Sequence, residues 1–278
     1  MRVLVTNDDG FDAPGLAVLA RAFAEAGHDV TVLAPLAEAS GSGAAIGPVH
    51  LRGGTIHVAE VTPAGLDGIK TLAIDALPAL IVITACLGGF GTPPDLVVSG
   101  INPGRNVGRA VMHSGTVGAA LTAAPFGLKG LAASMQAGSA PSAYESADGS
   151  HIHFESAATL AVTVAAHMEA APARTVINLN VPNLPLGKIR GIRRARLATK
   201  GLIFSARLAD RDHDVQLDLR GLGPAAGESG GGGESDESLT ELGWAVVTPL
   251  ATVSEDHRPD VGTVVDAAIE SASRLVGM

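Results

Sequence analysis

The stretch VTNDDGFDAPG (residues 5–15) sets two carboxylates, Asp8 and Asp9, side by side directly after a run of strand-forming residues. Adjacent carboxylates repel each other unless a cation lies between or beside them. Two further polar clusters follow apolar runs, EASGSG (residues 38–43) and SGINPGRN (residues 99–106). Carboxylate, Ser hydroxyl and Asn carbonyl are hard oxygen donors, a set that suits Mg²⁺ or Mn²⁺ rather than Zn²⁺. The competing structural reading of Asp8 and Asp9 is a turn that caps the next helix, a role short polar side chains often take. A fourth stretch, HSGTVGAA (residues 113–120), opens a helix at Ser114 to Thr116. Free backbone N–H groups and the positive end of the helix dipole make such a start an anion site. A cation beside an anion site is equipment for binding a small anionic group.

These clusters need a frame. RVLVT (residues 2–6) is a continuous apolar run of the kind buried on both faces of a parallel sheet. A helix follows, with Pro14 at its start, Leu16, Leu19, Ala20 and Phe23 on one face, and Gly27 at its stop. HDVTVLAP (28–35) is the next strand, completing a unit whose crossover is expected to be right-handed. The alternation recurs: strand PDLVVSG (94–100), helix SGTVGAALTAAPFG (114–127), strand KGLAASM (129–135), helix ESAATLAVTVAAHMEAA (155–171) and strand RTVINLNVP (174–182). The expected fold is therefore α/β, a doubly wound, Rossmann-like, mostly parallel sheet. In such sheets ligands bind beyond the carboxyl ends of the strands, which is where the polar clusters fall. After Pro182 the character changes. VQLDLRG (215–221), a Gly-rich linker-like piece GESGGGGES (227–235) and GWAVVTPLATV (243–253) predict a β-rich C-terminal extension, with a final helix near residues 263–276. We divide the chain accordingly into a core, residues 1–190, and an extension, residues 191–278.

Composition narrows the partners. No run approaches the roughly 18–20 apolar residues of a membrane span, and the first residues lack the pattern of a secretion signal. The single cysteine, Cys86, fits a reducing cytoplasm and reads as a small buried hydrophobe. A net charge of −9 argues against nucleic acid polymers, since phosphate backbones are met by clustered Lys and Arg. A phosphorylated partner is expected to be small.

NDDGFDAPG, APLAEASGSG, PDLVVSGINPGRNVG and HSGTVGAA stand in the order and spacing seen in the SurE (stationary-phase survival) family of nucleotide phosphatases, which the chain resembles. The similarity runs from Met1 to about Met135, resumes at VINLNVPNLP and continues weakly through GWAVVTPL. The resemblance implies a metal-dependent phosphomonoesterase acting on nucleoside 5′- and 3′-monophosphates, with one divalent ion per subunit. By position, Asp8, Asp9, Ser40 and Asn102 would be the metal ligands, and Asn106, Ser114, Gly115 and Thr116 would hold the phosphate. Asp8, Asp9 or the metal alone could activate the attacking water. Because Thr116 is not among the implied ligands, Thr116→Val is expected to weaken phosphate binding and spare the metal site. The resemblance further implies a homodimer or homotetramer whose C-terminal extension reaches across to a neighbour.

The chain also departs from the family pattern. Where the family commonly has a GTPADC-like segment on the base side of the pocket, this sequence reads IDALPALIVITACLGG (74–89), and an acidic position after NVG is replaced by Arg109-Ala110. Nucleotide preference and efficiency are the properties these changes bear on. His113 stands where the family usually has an aromatic residue and is expected to form a pocket wall or touch the phosphate. Arg105 and Arg109 could draw in a phosphate or be solvated surface residues. ESDES (234–238), next to the Gly-rich piece, reads as a mobile acidic loop. Two rival readings differ in class. The opening also looks like the first unit of two-domain nucleotide-sugar transferases, but 278 residues leave little room for their second α/β domain. A non-catalytic nucleotide-binding module would keep the metal site without turnover, and phosphate release with Mn²⁺ separates it from an enzyme.

Overall fold

The computed structural model describes residues 1–136, 151–199, 205–208, 215–218, 234–254 and 259–276. Strand β1 (Arg2–Thr6) sends Val3 and Val5 into one core layer and Leu4 into the other, the period-two alternation of a pleated strand. Helix α1 (Pro14–Glu25) starts on a proline and has no side-chain cap; it is held by its apolar face, on which Leu16, Leu19, Ala20 and Phe23 are fully buried. Full burial of Phe23 alone is worth roughly 1.5–3 kcal/mol. Strand β2 (Asp29–Pro35) lies parallel to β1, with Val30 beside Val3 and Val32 beside Val5.

The chain then steps outward through β3 (Val58–Glu60), β4 (Lys70–Ile74) and helix α2 (Pro78–Cys86). It returns to the middle of the sheet with β5 (Leu96–Asn102), which pairs with the free side of β1. Helix α3 (Gly115–Ala123), β6 (Lys129–Gln136), α4 (Phe154–Met168) and β7 (Val176–Pro182) carry the sheet on in the opposite direction. The strand order is β3-β4-β2-β1-β5-β6-β7-β11-β8, where β8 is Ile192–Arg194 and β11 is Ala245–Leu250. Only β3 against β4 and β11 against β7 are antiparallel in this sheet. Helices α1 and α4 cover one face around Phe23, Leu131 and Met168. On the other, α2 and α3 enclose Leu4, Leu33, Ile81, Val97 and Ala119.

Chain order reverses between β1 and β5, so the loops leaving those two strands diverge and open a crevice at their carboxyl ends. The extension contributes to the same sheet through β8 and β11, while among the described residues β9 (Ser205–Leu208) and β10 (Val215–Asp218) pair only with each other. Most of the expected Gly-rich piece, residues 227–233, lies outside the described residues. ESDES is not a loop: Ser235 caps helix α5 (Asp236–Glu241), accepting from the N–H of Ser238 at 3.2 Å. The last helix, α6 (Pro259–Val276), begins at Pro259 rather than Thr263. Among the described residues no helix is long and apolar enough to cross a membrane.

Candidate active site at the sheet switch point

Asp8 and Asp9 leave β1 at the crevice. Asp8 is only 3% exposed, and its Oδ1 accepts from the Thr116 hydroxyl at 2.5 Å. Burial raises its pKa; the Thr116 hydroxyl and the backbone N–H groups of Gly115 and Thr116 pull the other way. The start of α3 is thus already turned toward a carboxylate. Ser114 caps that helix by accepting from the Val117 N–H at 3.0 Å. Contrary to the expectation for Thr116, its hydroxyl is committed to Asp8, so Thr116→Val would disturb the carboxylate as well as any phosphate.

Asp9 is the less satisfied of the pair. Its Oδ2 is buried with no hydrogen-bond partner. Burial first, then the charges of Asp8 and Glu38, push its pKa up to about 7. Thr6, Asn7, Ser42 and Ser99, at the same strand ends and loops, also carry buried oxygens without partners. Buried oxygens without hydrogen-bond partners beside two carboxylates are donors of the kind a hard cation takes. Among the described residues no three His, Cys, Asp or Glu side chains assemble into a metal cluster, so a cation here would take two carboxylates and neutral oxygens. That donor set matches Mg²⁺ or Mn²⁺.

The loop after β2 closes the site from one side. The Ala39 N–H donates to the Asp8 carbonyl at 2.7 Å, and the Gly43 N–H to the His113 carbonyl at 3.1 Å. Ser40 sits on this loop with an exposed side chain, while the hydroxyl of Ser42, two residues on, is buried beside Asp8 and Gly115. Sequence reasoning missed Ser42. The repeated Ser-Gly of SGSG was the available signal, but it does not say which hydroxyl turns inward.

The loop after β5 closes the other side. Asn102 donates from Nδ2 to the Gly104 carbonyl at 2.7 Å, which leaves its Oδ1 as a free acceptor. Asn106 is nearly buried: its N–H donates to Asn180 Oδ1 at 2.9 Å, and its carbonyl accepts from Asn178 and Asn180 at 2.8 and 3.0 Å. One N–H of its side chain goes to Ser134 Oγ at 2.8 Å, and the amide retains a second. Asn178 and Asn180 were visible in the sequence as polar residues two apart in an apolar strand, pointing to one side. Arg105 pairs with Glu241 at 3.2 Å, whereas Arg109 and His113 are exposed. Cys86, expected to be buried, is half-buried at the end of α2, where burial pushes its thiol up to about 11.

The Asp9 shift has a measurable sign. A folded-state pKa near 7 against 3.8 means that the native protein keeps a proton the unfolded chain has released. Without metal, stability is therefore expected to fall as pH rises from about 4 to about 7, by roughly 2–4 kcal/mol. Asp8 is shifted in the same direction. Asp95, held low by Arg2, acts only below this window. Urea midpoints in the presence of a chelator at pH 4.5 and 7.5 measure the effect, and the difference should shrink in Asp9→Asn, leaving what Asp8 and Glu237, both also raised by burial, contribute.

Two acidic side chains, neutral oxygens and a helix start gathered at the switch point of a doubly wound sheet define an anion-handling α/β protein of the kind that works on phosphate esters. The chain belongs to the SurE family, whose model, described as Survival protein SurE, matches residues 3–202. It is 35% identical over 258 residues to the 5′-nucleotidase SurE of Stenotrophomonas maltophilia (strain R551-3), an alignment covering 90% of this chain and 89% of that one. The 5′-nucleotidase SurE of Xanthomonas campestris pv. campestris (strain B100) is also 35% identical, over 257 residues with the same coverage. In fold the chain resembles the crystal structure of the SurE protein from Aquifex aeolicus, with a TM-score of 0.70 and 24% identity over 99% of both chains.

Proposed function

We propose that the protein is a metal-dependent phosphomonoesterase that hydrolyses nucleoside 5′- and 3′-monophosphates, the first of these being the activity in its relatives' names. The observation that carries this reading is the buried, unpartnered Asp9 Oδ2 next to Asp8, whose own carboxylate is tied to the start of α3. Asp8 and Asp9, with Ser40 and Asn102, would hold Mg²⁺ or Mn²⁺, and the bound ion would neutralise charge on the phosphoryl oxygens and lower the pKa of water. Ser114 would offer a backbone donor at the α3 start for the transferred group and the free amide N–H of Asn106 a second, while the Gly115 N–H faces Asp8. Thr116 fixes Asp8, and Asn178 and Asn180 fix Asn106, so these groups need no reorganisation as charge develops. A cleft of ≈ 270 Å³ adjoins the β2 loop and would take the nucleoside. It is lined by Glu38, Ile46, Ile56 and Leu77, with Arg52 paired to Asp75 at 2.7 Å. Asp75 and Leu77 belong to the segment that departs from the family pattern, so base preference is expected to be this protein's own.

The test is phosphate release from a panel of nucleoside 5′- and 3′-monophosphates with Mg²⁺, Mn²⁺, Co²⁺ and Zn²⁺, before and after exhaustive chelation. Activity that appears with a divalent ion and disappears on chelation is expected. Full activity in the chelated protein would overturn the metal assignment, and no release from any substrate would favour the non-catalytic module.

A further inference from the structure

We infer that Asp236, at the start of α5 in the C-terminal part of the chain, is a positioning residue for the loop that carries Asn106, an inference that rests on the phosphatase reading of that loop. Asp236 is 0% exposed. Its Oδ2 accepts from the Gly108 N–H at 2.9 Å, and its Oδ1 accepts from the Ala198 N–H at 2.8 Å and the Glu237 N–H at 2.9 Å. A carboxylate removed from water is tolerated only where donors replace its hydration, and here all three come from the backbone of separate places in the chain. One of them is two residues from Asn106.

The same loop is gripped from other directions. Asn180 and Asn178 hold the Asn106 peptide from β7, and Glu241, one turn and a half along α5, pairs with Arg105. Helix α5 is itself fixed. The Asp236 N–H donates to the Arg196 carbonyl at 2.9 Å, the Thr240 hydroxyl to the Asp236 carbonyl at 2.6 Å, and Leu239 packs with Ala195 and Val246. The side chain of Asn106 can present its spare N–H in one place only if its backbone is held from both flanks. Asn178 and Asn180 supply one flank, and Asp236 with Glu241 the other. None of the hydrogen bonds of this clasp involves Asp8, Asp9, Ser40 or Asn102.

An amide in place of the carboxylate keeps the shape but has one acceptor oxygen, so either Gly108 or the Ala198 and Glu237 pair would face an N–H donor. In Asp236→Asn, inorganic phosphate measured by calorimetry is expected to bind at least about tenfold more weakly, with a matching rise in KM for a nucleoside monophosphate. The rise in melting temperature on adding Mn²⁺ is expected to stay at the wild-type value. Glu241→Gln, which loosens the same clasp at a half-exposed pair, should weaken phosphate by about two- to threefold. A folded Asp236→Asn with lowered melting temperature but wild-type phosphate affinity would show a purely structural residue and overturn the inference. If Asp236→Asn does not fold, Glu241→Gln decides, and unchanged phosphate affinity there overturns it. Wild-type protein that binds phosphate yet releases none from any nucleotide sinks the proposed function alone; wild-type protein that binds no phosphate sinks both.

Discussion

Asp8→Asn and Asp9→Asn are each expected to lower turnover by at least about a hundredfold, because either change removes a full negative charge from the candidate cation site. A purely architectural pair predicts the opposite, since Asn forms turns and caps about as well as Asp. The two variants should also differ from each other. Asp8 is held by Thr116 and the start of α3, so its replacement disturbs a built contact and should cost stability. Asp9 has a buried oxygen with no partner and a pKa raised partly by its neighbour, so metal-free Asp9→Asn should be no less stable than wild type at pH 7.5. Added Mn²⁺ should raise the wild-type melting temperature by mass action and each variant's by less. Equal metal-induced shifts in all three proteins with near-normal phosphate release would mean that these aspartates are not ligands.

Gly115→Ala is expected to be nearly as damaging without touching a charge. A Cβ at this position would lie 2.7 Å from Asp8 Oδ2 and 2.8 Å from both Asp8 Cβ and Ser42 Oγ, closer than real Cβ atoms come. Asp8 is buried and tied to Thr116, so it cannot swing aside, and displacement by even about 1 Å can cost about a hundredfold in rate. The overpacking should lower stability by roughly 1–3 kcal/mol, against which the better helix propensity of Ala returns less than about 1 kcal/mol. Gly262→Ala is the control: it lies in α6, a Cβ there meets open space, and it should leave activity unchanged. Assay and thermal melt of the two alanine variants side by side check the prediction, and a fully active Gly115→Ala would refute the tight apposition of α3 and Asp8.

The elements legible in the sequence are those in which one physical signal dominated. RVLVT and DLVV are apolar runs of strand length, and α1 repeats its buried residues at helical spacing. The element at residues 78–86 shows no period in the sequence because PALIVITAC is apolar on every side: α2 is a helix pressed between neighbours, with no polar face. The candidate site was legible as far as its residues are chemically unusual, as adjacent carboxylates and a Ser-Gly-Thr helix start are. Its supports were not. Asp236 reads as one acid among several in ESDES, and only its placement against the N–H groups of Gly108 and Ala198 distinguishes it from a solvated charge. Likewise, the family resemblance implies Thr116 at the phosphate, and nothing in the sequence shows that Asp8, 108 residues earlier, lies within reach of its hydroxyl.

The clasp on the Asn106 loop also orders events during biosynthesis. Asp8, the α3 start and the whole of β1 to β7 leave the ribosome before the strand and helix that complete the sheet, and Gly108 must wait for a partner made 128 residues later. Domains fold from the N-terminus as they emerge. A nascent chain that has reached β7 therefore already owns its paired carboxylates, yet its Asn106 loop is held from one flank only, and the edge of β7 is bare until β11 arrives. Both flanks of the Asn106 loop are thus held only after Asp236, 128 residues beyond Gly108, has been made.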